Sequence, residues 1–493
     1  MSGAPDYRLV RTLQGQVADR MTAAKQARDL RGQAPLAAAD ERQLALSFAR
    51  ETVTRHMQAQ IAEGHELPEA AHDVRLVEAI DAAMFGAGAL QELLDDPNVE
   101  NIDINGCDEV WVTYADGRGK VRERPVAASD EDLMDVVRTL GAYAGINARP
   151  FTPATPELDL RLPDGSRLSA IMTASERPAV SIRRNRFPQV FLDAAPGAVA
   201  LVGRANGHVS DQPHPSPHLQ SSPHVQPSAR ATTLLELGTV DERLAAFLRA
   251  AVLARCNVMV AGATDAGKTT LLRALINCIP PHERLVTVER ALELGLRRHL
   301  DLHPDVVEME EVLPSADGGG GISIGALVRR TRRQNPSRVI VGEVLGPEVV
   351  EMLSAMSQGN DGSLSTIHSR DAADVFHRLA TYAAQHEGLP FEVSHALIGS
   401  TIDFVVFLRK NPRLEGRRCV MEVLEVTGSA DGRATRSRIF GEGPDGRAVR
   451  DPEVAIMRWR ALAEAGYDDA ADVFGPMGFG ASSYGPAWSR GSG

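Results

Sequence analysis

Gly262-Ala263-Thr264-Asp265-Ala266-Gly267-Lys268-Thr269 decides the fold of this chain. The stretch fits G-x-x-x-x-G-K-[ST], a phosphate-cradling loop, without a mismatch. Asn257-Val-Met-Val-Ala261 precedes it, a short apolar run that reads as a buried strand. Thr270-Leu-Leu-Arg-Ala-Leu-Ile276 follows and reads as an amphipathic helix. Strand, glycine turn and helix together aim backbone N–H groups and a partial positive charge at one point. At such a point Lys268 reaches the β- and γ-phosphates of a nucleotide. The Thr269 hydroxyl is the expected Mg²⁺ ligand, and the backbone from Gly262 to Thr270 the expected phosphate cradle.

Outward from this loop, the 493 residues are 43% hydrophobic and 24% charged, ordinary globular values for a chain of about three domains. Aromatics are only 4%, so the cores must be aliphatic. A net charge of −12 argues against a general binder of nucleic-acid backbone, which shows a basic domain or stripe. Cys107, Cys256, Cys278 and Cys419 form no C-x-x-C pair, so neither a zinc site nor a disulfide framework is expected. A reducing, cytoplasmic setting follows. The first residues lack a basic and an apolar region, so no signal peptide is expected. No apolar run reaches 18 residues, so any membrane contact is expected to be indirect.

Residues 1–75 are rich in Ala, Gln, Arg, Glu and Leu and read as a solvated helical appendage, with one helix over Asp40–Glu63 and a break at Gly64–Pro68. Residues 76–200 read as an α+β domain. Leu76–Phe85 is helical and continues through Leu90–Leu94. Strands follow at Val99–Asn105 and Glu109–Tyr114 around an Asn-Gly turn, then a helix over Asp130–Ala144. Leu158–Leu162 pairs with Arg167–Met172, and Val180–Arg183 is a further strand. Residues 201–233 are rich in Pro, Ser, His and Gln, a composition too poor in apolar surface to order itself. The irregular spacing of His208, His214, His218 and His224 there reads as a flexible insertion rather than a metal site. Residues 234–430 open with a helix over Thr239–Ala254, and strands and helices then alternate as in a parallel α/β sheet. Residues 431–474 read as a small C-terminal region, and 475–493 as a disordered Gly/Ser tail.

Three further stretches converge on the loop. Leu285–Glu289 reads as a strand ending in carboxylates, Glu289 and then Glu293, and strand C-termini line the ligand crevice of such sheets. A carboxylate there orients or deprotonates an attacking water; a solvated acidic pair is the alternative. Arg338–Glu343 reads as a third buried strand that brings Glu343 toward the metal shell. Arg329 and Arg333, four apart, fall on one helical face ahead of it. They serve either as a solvated basic face or as fingers toward a neighbour's γ-phosphate. Gly359–Ser369 is a glycine-rich turn, a short strand and His368 at its end.

These stretches resemble one family, the type II/type IV secretion and pilus-assembly ATPases, and within it the tight-adherence (Flp-type) pilus motors. The resemblance covers roughly Leu76 to Val426. Its acidic box T-I-E-D-x-x-E-L stands here as Thr287-Val-Glu289-Arg-Ala-Leu-Glu293-Leu. Its L-V-R-x-x-x-R-x-x-P-D-R-I-I-V-G-E stands as Leu327–Glu343, and its histidine box as Gly359–His368. L-P-D-G-S-R matches Leu162–Arg167, and I-R-R matches Ile182–Arg184. The resemblance implies a RecA-like P-loop NTPase domain, an N-terminal α+β (PAS-like) domain, and a homohexamer binding ATP and Mg²⁺ between them. It implies Glu293 as base, Glu343 at the Walker B position, His368 as γ-phosphate sensor, and Arg329 and Arg333 acting across the interface. Arg167, Arg183 and Arg184 would touch nucleotide or the adjacent subunit. An inner-membrane platform protein is the implied partner, and the inner face of the cytoplasmic membrane the implied location.

The chain departs from the family pattern at Arg290, Leu345, Asn360 and Ser337, which replace Asp, Arg, His and Asp. Two of these remove or reverse charge near the metal and bear on turnover more than on nucleotide binding. A low-turnover nucleotide-binding regulatory subunit is therefore the second reading, and a DNA-handling RecA-type ATPase the third, disfavoured by the acidic balance.

Overall fold

The computed structural model describes residues 7–34, 36, 38–63, 72–85, 87–143, 151–162, 164–187, 189–193, 231–312, 314, 320–357 and 359–469. The break at Gly64–Pro68, the Pro/Ser/His-rich insertion and the C-terminal tail lie outside these, apart from residues 231–233. The chain divides into two compact units, 1–188 and 189–493.

The first unit opens with α1 (Tyr7–Leu30), α2 (Ala38–Ala62) and α3 (His72–Phe85). The expected solvated appendage is instead a three-helix bundle with its own core. Val10, Leu13, Val17 and Met21 meet Ala45, Ala49 and Val53, and Leu76 and Ile80 of α3 close the cluster. The apolar positions recur every three or four residues, and alanines on α2 let the helices approach closely. The bundle therefore runs past residue 75 to Phe85. A separate short helix α4 (Leu90–Asp95) follows instead of a continuation of α3, because the chain passes through Gly88 at φ +57°.

Then come β1 (Val99–Asn105), β2 (Val110–Tyr114), β3 (Gly119–Glu123), α5 (Asp130–Tyr143), β4 (Glu157–Arg161), β5 (Arg167–Ile171) and β6 (Ala179–Arg183). The strands form one six-stranded antiparallel sheet in the order β3-β2-β1-β6-β5-β4. Alternate strand residues such as Ile102, Ile104, Leu168 and Ile182 turn inward against Leu133 and Val137 of α5. This is the α+β domain read from the sequence.

The second unit begins with β7 (Val190–Phe191) and β8 (Thr232–Thr233), then α6 (Glu242–Leu253), β9 (Val258–Gly262), α7 (Lys268–Ile276), β10 (Leu285–Glu289) and β11 (Val306–Glu310). It continues with α8 (Ile324–Thr331), β12 (Arg338–Val344), α9 (Val349–Ser357), β13 (Leu364–His368), α10 (Asp374–Glu387) and α11 (Phe391–Thr401). It ends with β14 (Phe404–Asn411), β15 (Arg417–Ala430), β16 (Arg433–Glu442), β17 (Ala448–Arg450) and α12 (Trp459–Glu464). One nine-stranded sheet runs β11-β10-β12-β13-β9-β14-β15-β16-β17. The first six of these are parallel, and β9 lies at the heart of them between β13 and β14. All five residues of β9 and of β10 are buried, which is why both read as unbroken apolar runs.

Beyond β14 the sheet turns antiparallel. The expected boundary at residue 430 falls inside a hairpin. Ala430 pairs with Arg433 across Asp431-Gly432, both at positive φ (+50° and +71°), and residues 433–450 add two strands to the same sheet. Phe247 of α6 ties this extension down, with ring centroids 5.1 Å from Phe404, 5.1 Å from Phe440 and 5.4 Å from Tyr467. All four cysteines are free thiols. Among the described residues no helix is long and apolar enough to cross a membrane.

Candidate functional site

The loop after β9 turns through Asp265 at φ +62° and Gly267 at φ +96°, and α7 starts at Lys268. Gly267 occupies the cap position of α7 without a side-chain cap, so the opening N–H groups of the helix face outward as anion donors. Lys268 is only 7% exposed. Its Nζ donates to the Ala263 carbonyl at 3.1 Å and lies 3.1 Å from Nδ1 of His368.

His368 ends β13, the neighbour of β9, and its backbone stands in register with Gly262. Its Nε2 lies 2.8 Å from Oε1 of Glu343 on β12. A carboxylate on one side and an ammonium on the other assign the tautomer: Nε2–H donates to Glu343, and Nδ1 accepts from Lys268. Three residues separated by up to 100 positions thus form one chain, Lys268–His368–Glu343. The parallel order β12-β13-β9 lines their ends up at one edge of the sheet.

A second arm comes from β10. The Thr269 hydroxyl lies 3.5 Å from Oε2 of Glu293. Glu293 sits in a loop held by Glu289, which is 3% exposed and accepts the N–H groups of Glu293 at 2.7 Å and Leu294 at 2.9 Å. Gly342 makes room for it, since a Cβ there would stand 2.9 Å from Cγ of Glu289. Arg273 of α7 also donates to the Glu293 carbonyl. Glu289 is therefore the holder of the acidic loop, and Glu293 the carboxylate presented beside Thr269.

Nucleotide phosphates fit this set: an ammonium, uncapped helix N–H groups and a hydroxyl converge. Among the described residues no group of three or more His, Cys, Asp or Glu side chains is placed to hold a metal by itself.

The remaining expected residues lie elsewhere. Arg329 is on α8 and donates to Glu351 of α9 at 2.9 Å, and Arg332 donates to the same carboxylate at 2.9 Å. Arg333 does not share the helical face of Arg329, because α8 ends at Thr331. Past Arg332 the chain turns away from the helix and passes through Asn335 at φ +49° before Pro336, and Arg333 is exposed in the turn. Arg167 and Arg183 stand directly opposite each other on β5 and β6, with Arg161 of β4 opposite Arg167. Arg184 donates to Asp164 at 2.7 Å. These belong to the first unit.

At three of the four departures from the family pattern the side chain has a local partner. Arg290 pairs with Glu311 at 3.2 Å, and the Asn360 side chain donates to the Ala355 carbonyl at 3.4 Å. The Ser337 hydroxyl accepts the Arg284 N–H at 3.1 Å, and the Leu345 N–H donates to Glu348. The sequence reading did not single out Arg418. From β15 its Nε donates to the Asp265 carbonyl at 2.8 Å, and its Cδ lies 3.2 Å from where a Cβ on Gly267 would be. It braces the tip of the loop from across the sheet.

Residues 223–437 match the family model described as type II/IV secretion system protein. PtlH, a type IV secretion system protein of Bordetella pertussis, is 29% identical over 355 residues, covering 69% of this chain and 94% of PtlH. VirB11 of Agrobacterium fabrum is 29% identical over 354 residues, covering 69% of this chain and 92% of that protein. Among solved structures, the VirB11 ATPase of Brucella suis aligns with a TM-score of 0.33 at 24% identity, over 70% of this chain and 97% of that one.

Proposed function

We propose, on the premise that this chain belongs to the type II/IV secretion system ATPase family, that it is a cytoplasmic hexameric motor. It hydrolyses ATP to power pilus assembly or protein secretion through an inner-membrane platform protein. The observation that carries this reading is the Lys268–His368–Glu343 chain at the foot of an intact phosphate loop.

The bound Mg·ATP would supply the phosphoryl group and the metal that neutralises its charge. Lys268 would hold phosphate oxygens and Thr269 the metal. Glu293, beside Thr269, would orient and deprotonate the attacking water. Glu343 accepts the Nε2–H of His368 and holds the ring, so His368 would register the γ-phosphate through the ammonium of Lys268. Arg329 and Arg333 would act on the neighbouring subunit's site, and Arg167, Arg183 and Arg184 on nucleotide from the first unit. The tight-adherence pilus machines are the subclass favoured by the motif pattern. Low turnover as a regulatory subunit is the reading that the departures at Arg290 and Leu345 would support.

Steady-state hydrolysis by the full chain tests the proposal. Lys268→Ala is expected to abolish nucleotide binding with the fold intact. Glu293→Gln is expected to keep binding and lower kcat at least ~100-fold, the scale of one acid–base group. Normal hydrolysis in the Lys268 variant would sink the assignment, and a wild-type rate too slow to be altered by Glu293→Gln would leave the regulatory reading in its place.

A further inference from the structure

We infer that Asn257 is a positioning residue for His368, acting from the opposite end of the sheet. The inference rests on the proposed role of His368 and extends it to a residue that touches neither nucleotide nor Lys268.

Asn257 lies just before β9 and is 4% exposed. Every polar atom of its side chain is used. Its Oδ1 accepts the N–H of Gly362 at 3.0 Å and of Ser363 at 2.9 Å. Its Nδ2 donates to the Thr401 carbonyl at 2.8 Å and the Met356 carbonyl at 3.3 Å. Its own backbone N–H donates to Asp403 at 2.7 Å, and its carbonyl accepts from Asp403 at 3.0 Å and Phe404 at 3.2 Å. One side-chain amide thus joins the root of the phosphate-loop strand to the ends of α9 and α11 and the turn leading into β13, while the backbone of the same residue ties it to the start of β14.

Gly362 and Ser363 are the last residues before β13, and Val258 begins the pairing by donating to the Ser363 carbonyl at 3.1 Å. From there the register runs residue for residue, Leu364 opposite Val258 to His368 opposite Gly262. Strand geometry converts the five steps from Ser363 to His368 into about 16 Å. A strand has a side-chain period of two, so a slip by one residue would turn His368 to the other face and away from Lys268. Parallel pairs are less stable per residue than antiparallel ones, and the turn at 359–363 offers no hairpin to set the register. The amide of Asn257 sets it instead, holding both N–H groups at the strand's entry on one oxygen.

Deleting this anchor should therefore act on the chemistry through His368. A misplacement of ~1 Å far from the reacting atoms can cost about 10²-fold in rate. The experiment is a double-mutant cycle on the full chain, reading kcat, nucleotide Kd and Tm for Asn257→Ala, His368→Ala and the pair. The expected result is a kcat loss of about 10- to 100-fold in Asn257→Ala, with Kd within about threefold of wild type. No further loss should occur when the substitution is added to His368→Ala. Asn257→Asp, which keeps the acceptor and loses the two donors, should retain more kcat than Asn257→Ala. It also serves as the test protein if the alanine variant does not fold. Losses that add in the double variant, or equal losses in the Asp and Ala variants, would overturn the inference and leave Asn257 a packing element. A silent His368→Ala would instead remove the reading on which the inference stands.

Discussion

Glu283→Ala should destabilise the second unit by an amount set by one buried guanidinium. Arg338 opens β12 with its side chain 0% exposed, and Glu283 is 8% exposed. The pair is bidentate, with Nε to Oε2 at 2.8 Å and the second nitrogen to Oε1 at 2.7 Å. Arg255 donates to the same carboxylate at 2.6 Å. The third nitrogen of Arg338 donates to the carbonyls of Val252 at 2.7 Å and Gly362 at 3.3 Å, so the guanidinium cannot swing out to water. Removing the carboxylate strands a buried charge, at a cost of about 3–5 kcal/mol. At about 2 °C per kcal/mol for a unit of this size, Tm should fall roughly 6–10 °C. Glu283→Ala with Arg338→Met removes both charges and should recover most of the loss. The effect also has a pH sign. Burial pushes the Glu283 carboxyl up, but Arg338 and Arg255 together outweigh it and hold it below its ordinary 4.5. A depressed folded value stabilises above the unfolded one and is lost as pH falls through the folded one. The gap in Tm between wild type and Glu283→Ala should therefore be full near neutrality and shrink below pH 4.5. A single variant melting within about 2 °C of wild type, a double variant no better than the single, or a gap that widens in acid would refute the reasoning.

Two further outcomes follow from the site. Arg418→Met removes one charged donor from the Asp265 carbonyl, worth about 1.5–3 kcal/mol, so Tm should fall roughly 3–6 °C, and nucleotide Kd should rise as the loop loses its brace. A titration with fluorescent nucleotide giving wild-type Kd would reduce Arg418 to surface packing. Mixtures of Lys268→Ala and Arg333→Ala subunits should recover hydrolysis that neither shows alone, because some interfaces pair an intact loop with an intact arginine. No recovery in subunits shown to exchange would leave Arg333 as an exposed surface residue beside Arg329 and Arg332, which Glu351 holds.

The phosphate loop, its strand and its helix were legible because the geometry is local: a few glycines and one apolar run specify it. The acidic loop, the Walker-B-like strand and His368 were legible as types, since each is a polar residue ending a buried strand. What the sequence could not display was pairing over long separations. Glu289 reads like Glu293 until the N–H groups it accepts are seen. Asn257 and Arg418 find their partners 105 and 153 residues away. Other misses had signals present. Asp431-Gly432 is a strong hairpin dipeptide, and Asn335-Pro336 marks the helix end that separates Arg333 from Arg329. The helical bundle was read as solvated because its α2 seam is built from alanines, which add little to a count of large apolar residues.

The hairpin through Asp431-Gly432 has a consequence for nonsense alleles. A stop codon just after residue 430 would leave translated everything that carries the phosphate loop, the acidic loop and His368. It would also leave β15, fourteen residues long and largely buried in the intact protein, as a bare edge. Such an edge is a template for pairing with another chain. The residues after it, down to the bidentate bond of Arg450 with Asp469 at 2.9 and 2.8 Å, are what cover it. Early termination there should be read as a solubility defect, with the missing protein found in aggregates rather than as a stable, inactive motor.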